Sequence, residues 1–112
     1  MISSHLLPIL LSAVLIWAGG LNLAGPDFIR EEFAKWGYSD GLRMSVGLAE
    51  WAAAIALIVV PFRMLGCALA AIILLGVIVT FARDRSLMRL EYPLVLLAID
   101  MMIAVQTLGL IS

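Results

Sequence analysis

The sequence predicts an all-α fold: an integral membrane four-helix bundle with an interfacial amphipathic helix between spans one and two. Three observations carry that expectation. Of the 112 residues, 64% are hydrophobic and 13% charged, with a mean hydropathy of +1.14, which is too apolar for a water-soluble domain of this size. Four apolar stretches, roughly 6–24, 42–61, 64–82 and 93–111, each approach the ~20 residues that a helix needs to cross a ~30 Å hydrocarbon core. Little chain remains outside them, so 1–112 reads as one transmembrane domain, and helices satisfy their own backbone hydrogen bonds in lipid.

Span one runs apolar to Ala24 and stops at Gly25-Pro26. The next stretch, "PDFIREEFAKWGYSD" from 26 to 40, spaces Ile29, Phe33 and Trp36 at i, i+4 and i+7, with Arg30, Glu31, Glu32 and Lys35 around the other side. That pattern predicts an amphipathic helix at the membrane surface, with Pro26 in its first turn, Gly37 at its end, and Trp36 and Tyr38 in the headgroup layer. Spans two and three are joined only by "PFR" at 61–63, so they run up and down in sequence. The last connection, "ARDRSLMRLEY" from 82 to 92, leads to Pro93 at the start of span four.

Arg30, Lys35, Arg43, Arg83, Arg85 and Arg89 fall on the side of the two long connections, and Arg63 alone on the other. The positive-inside rule then makes the connections 25–41 and 83–92 cytoplasmic in a cell membrane. Cys67 is the only cysteine, so a dithiol relay within the chain is impossible. Beside Gly66 and Ala68 it reads as a small packing residue. The lipid bilayer is the expected partner, with a homo-oligomer as a further candidate. Nothing resembles a basic nucleic-acid-binding face.

Two acids lie inside the apolar stretches. Glu50 is about eight residues into span two and Asp100 about seven beyond Pro93, which puts both roughly 10–12 Å below the same surface at 1.5 Å per residue. Charged groups at that depth cost ~2.5–3.5 kcal/mol on insertion scales and normally face a bundle interior or a wet cavity. Gly47 and Ala54 leave room on the Glu50 face. Trp17 falls at nearly the same level, Trp51 adjoins Glu50, and Asn22, Thr80 and Arg83 lie just above. These seven residues, Glu50, Asp100, Trp17, Trp51, Asn22, Thr80 and Arg83, are the candidate ligand-binding set, arranged as a one-sided pocket. The plainer reading is that the acids are satisfied within the bundle, Glu50 by an indole or Thr80 and Asp100 by Arg83 or Arg43, and that both tryptophans only pack. No phosphate-binding loop, zinc pair, nucleophile elbow or dinucleotide fingerprint is present, and one His with one Cys gives no dedicated metal site.

The order and spacing of "AGGLNLAG" (18–25), "FAKWGYSD" (33–40), "GLAEW" (47–51), "LGCALAAIILLGVIVT" (65–80) and "YPLVLLAI" (92–99) resemble the DoxX-like family of small four-helix bacterial membrane proteins. The resemblance marks Gly19, Phe33, Gly37, Tyr38, Gly47, Glu50, Gly66, Gly76 and Thr80. Three positions depart from it: Asn22 where many relatives carry Lys, Ser39 where Pro is usual, and Phe81 where His often follows the Thr. Two proton-active groups are thereby absent. The family's association with a thiosulfate:quinone oxidoreductase implies a membrane redox assembly and makes quinone a possible ligand, although the sequence itself requires no cofactor.

The leading expectation is a small membrane subunit that binds a lipophilic ligand, quinone-like or lipid, and supports a redox assembly. Alternatives are a membrane oxidoreductase or acid–base enzyme using Glu50 and Asp100, and an assembly or structural protein without ligand.

Overall fold

A computed structural model describes residues 5–85 and 87–109. Five α-helices follow one another: α1 Leu6–Ala24, α2 Asp27–Lys35, α3 Asp40–Ile58, α4 Arg63–Arg83 and α5 Glu91–Thr107. Short 3₁₀ turns, Val60–Phe62 and Leu87–Leu90, precede α4 and α5. Among the described residues there is no strand.

Local chemistry sets the breaks. Gly25 adopts φ +63°, a left-handed conformation that costs glycine little, and its N–H closes α1 on the Leu21 carbonyl at 2.9 Å. The buried Arg43 of α3 reaches across to donate to the Asn22 carbonyl, placing a cation at the negative end of α1. Gly37 (φ +80°) turns the chain out of α2. Ser39 then caps α3 by accepting from the Leu42 N–H at 3.1 Å, with Asp40 in the first turn. Pro61 ends the run between α3 and α4 in a 3₁₀ turn, and Arg63 locks that corner by donating from Nε to the Leu57 carbonyl at 2.7 Å.

α1 packs along α3, α3 along α4 and α4 along α5, while α5 and α1 touch more lightly. The centre is Leu11, Leu15, Ala53, Ala54, Leu57, Ala70, Leu74, Leu96 and Ile103. Small residues bring helix backbones close together. A Cβ at Gly66 would lie 2.8 Å from the Leu57 nitrogen, and one at Gly47 3.0 Å from the Gly19 carbonyl. Ser12, 1% exposed, donates to the Ala54 carbonyl at 2.8 Å and ties α1 to α3. Most large aliphatic side chains outside this core point outward, among them Ile9, Ile55, Leu65 and Ile72.

Among the described residues, three helical segments are long and apolar enough to cross a membrane: Leu6–Ala24, Asp40–Ile58 and Val60–Arg83. α5 follows the expected fourth span but, at 17 residues, is shorter than these. The last residues of that expected stretch, 110–111, lie outside the described residues.

Candidate functional site

Between α1, α3 and α4, and under α2, lies a chamber of about 500 Å³. Ala18 and Leu21 of α1, Val46 and Ala49 of α3, and Ile73 and Val77 of α4 give it apolar walls. Glu50, 6% exposed, forms its polar end, where the Asn22 amide donates to Oε1 at 2.5 Å. Both residues are positioned by the Gly19/Gly47 contact, which lets α1 and α3 approach until side chains one turn further on meet. Among the described residues Asn22 is the hydrogen-bond partner of Glu50, and no cation pairs with it.

Helix α2 folds its apolar face onto this chamber. Ile29 and Phe33 line it, followed by Trp36 and Tyr38 beyond the helix end. The rings contact one another, with centroids 5.4 Å apart for Phe33–Trp36, 6.1 Å for Trp36–Tyr38 and 5.8 Å for Trp36–Phe81 of α4. Tyr38 Oη and Thr80 Oγ1 share a hydrogen bond of 2.9 Å, and Thr80 also donates to the Gly76 carbonyl. Two ion pairs hold α2 in place: Glu32 with Arg89 at 2.9 Å and Lys35 with Asp84 at 3.2 Å. The Arg89 guanidinium lies 4.4 Å from the Phe81 ring centroid and 6.0 Å from that of Trp36.

A model of the DoxX-like family matches residues 6–103, a span that takes in every residue lining the chamber. The chain belongs to the DoxX-like family. No match was found among curated proteins or among solved structures.

In this DoxX-like chain the structure gathers Glu50, Asn22 and Thr80 around one space and sends the other four candidates elsewhere. Trp17, 71% exposed, points away from the chamber, because the buried face of α1, packed mainly on α3, carries Leu11, Leu15 and Gly19 instead. Trp51 is a brace: its ring covers Gly19 and its Nε1 donates to the Ile16 carbonyl at 3.0 Å, outside the chamber. Arg83 lies in an adjoining polar cleft of about 160 Å³ with Lys35 and Asp84, separated from the chamber by Trp36, Tyr38 and Thr80.

Asp100 is 1% exposed but does not reach Glu50. The expectation of equal depth fails because the Leu87–Leu90 turn carries the chain back along α4 before α5 begins. Tyr92, in the first turn of α5, therefore lines the Glu50 chamber, and Asp100, eight residues later, sits about 12 Å further along the helix at 1.5 Å per residue. It lies against Cys67, near the opposite end of α4, with Oδ1 lacking a hydrogen-bond partner.

The chamber also takes in Phe33, Trp36, Tyr38, Phe81, Arg89 and Tyr92, which did not enter the candidate set. One signal for them was available. The i, i+4, i+7 spacing of Ile29, Phe33 and Trp36 fits an apolar face turned onto a neighbouring cavity as well as one turned onto lipid. Asn22 holds Glu50 and Phe81 joins the aromatic wall, while Ser39 caps the helix that carries Glu50 from outside the lining.

Proposed function

We propose that this DoxX-like chain is an integral membrane protein in which α1, α3, α4 and α5 cross the bilayer as a four-helix bundle and the Glu50 chamber holds a lipophilic molecule with one polar group. That class takes in quinone-like molecules and lipids. The observation that carries the reading is the chamber itself: about 500 Å³ with mostly apolar walls, converging on the Asn22–Glu50 pair. Small-molecule sites of ~300–1,000 Å³ have this character, a greasy enclosure with a few placed polar groups. Burial of Glu50 at membrane depth is costly, and a ligand that hydrogen-bonds it offsets part of that cost.

The Lys and Arg residues of the two long connections orient α2 and the chamber mouth toward the cytoplasm. A lipophilic ligand then enters from the inner leaflet or from beneath α2, whose own helix buries no residue fully. The role in a redox assembly rests on the family resemblance; the chamber supports the binding half of the proposal.

Native mass spectrometry of the gently extracted protein tests it. Wild type is expected to carry one small molecule, and Glu50→Gln to lose it while keeping its fold. A wild-type chain that carries no small molecule, or one retained equally by Glu50→Gln, overturns the assignment.

A further inference from the structure

Which lipophile the chamber takes follows from its charges. Glu32 and Arg89 at the mouth pair with each other, Lys35 pairs with Asp84, and Arg43 is committed to the Asn22 carbonyl and Asp40. Arg89 lines the chamber but is paired there with Glu32, and Lys35 and Arg43 have carboxylate partners of their own. Glu50 is left as the one uncompensated acid in the lining, with a neutral amide on Oε1. In a medium of low dielectric a carboxylate needs a counter-ion or a proton, and several kcal/mol separate the paired from the unpaired state.

The aromatic part of the lining has the complementary property. Phe33, Trp36, Tyr38 and Phe81 present ring faces and edges within 5.4–6.2 Å of one another. A cation already uses this wall, since the Arg89 guanidinium stacks over Phe81 at 4.4 Å. Aromatic faces attract ammonium and related cations electrostatically, and more so where water is excluded. An anionic ligand would meet Glu50 and would have to displace Glu32 to reach Arg89, and a neutral one requires Glu50 to carry a proton, whereas a cation pairs with the carboxylate directly.

We infer that the chamber's ligand is a lipophilic organic monocation, an apolar body bearing one ammonium-like centre that is held between the Glu50 carboxylate and the aromatic wall. This rests on the chamber reading above and narrows its ligand class. The apolar walls of α1, α3 and α4 hold the body, Asn22 fixes the carboxylate, and Tyr92, within electrostatic reach of Glu50, closes the side toward α5.

Equilibrium binding of tetraphenylphosphonium to the purified full chain is the test, with the thermal midpoint of each variant recorded to verify folding. Wild type is expected to bind saturably, about one per chain. Glu50→Gln should weaken binding by about thirtyfold or more, the low end for removing one partner of a buried charge pair. Glu50→Asp should retain most of it, and Trp36→Ala should weaken it by roughly two- to thirtyfold through loss of the cation–π contact. If Glu50→Gln does not fold, Trp36→Ala decides, and a folded Trp36→Ala with unchanged binding overturns the inference. Equal binding by a folded Glu50→Gln overturns it as well. Absence of tetraphenylphosphonium binding to wild type, together with a neutral lipophile in the native mass spectrum, sinks the cation and leaves the chamber assignment standing. Absence of both sinks both.

Discussion

Replacing Gly66 with Ala adds one methyl group at the closest approach of α3 and α4. The new Cβ would lie 2.8 Å from the Leu57 nitrogen, 3.1 Å from the Ala53 oxygen and 3.1 Å from the Ala56 carbonyl carbon, whereas ordinary contact begins at 3.4 Å. All three neighbours are backbone atoms, so no side chain can turn aside. The helices must part by a few tenths of an ångström, and overpacking of this kind costs about 1–3 kcal/mol. Alanine regains about 0.5–1 kcal/mol over glycine inside a helix, which leaves a net loss between about zero and 2.5 kcal/mol. Gly20 is the internal control, because a Cβ there meets nothing within 4 Å. Gly20→Ala should therefore stabilise by about 0.5–1 kcal/mol. Thermal unfolding in mild detergent, followed with a thiol-reactive dye, reads both variants, since Cys67 is the only cysteine and is 3% exposed when folded. A Gly66→Ala midpoint raised as far as that of Gly20→Ala would refute the tight α3–α4 contact.

Three further outcomes are expected. Ser12→Ala removes the buried link to the Ala54 carbonyl and should cost about 0.5–1.5 kcal/mol by the same assay, with no effect if the hydroxyl points elsewhere. Reversing either Glu32 or Arg89 should speed hydrogen exchange in α2, while the double exchange Glu32→Arg with Arg89→Glu restores protection. The pair is partly exposed and worth only about 0.2–1 kcal/mol, so the difference should shrink at high salt. Asp100→Asn should leave ligand retention within about twofold of wild type, since Asp100 lies outside the chamber, and a loss comparable to that of Glu50→Gln would show that the two acids share a site.

Much of the fold was legible because hydropathy acts along the chain. Leu6–Ala24 has the bounds read from its apolar run, and α3 and α4 differ from theirs by a few residues at each end, where caps such as Ser39 and Arg63 decide. The site was legible only in part because it depends on rotation and entry depth, which a single chain does not encode locally. Glu50, Asn22 and Thr80 emerged because a polar group in a span must face something other than lipid. Trp17 and Trp51 are apolar enough to face either way, and only the α1–α3 contact through Gly19 and Gly47 determines that one points outward and the other braces the seam. Asp100 was misplaced because the depth of α5 is set by a 3₁₀ turn, not by the position of Pro93. The apolar stripe of α2 was read as a membrane contact, although Ile29 and Phe33 instead roof the chamber.

The lighter contact between α1 and α5 has a mechanical consequence. With three helix pairs in close register and the fourth loosely joined, the assembly behaves like a book bound along three edges, and any swelling from within opens it along the remaining one. Leu21 and Asn22 of α1 and Tyr92 of α5 all border the chamber, so both helices of this lighter contact are part of its wall.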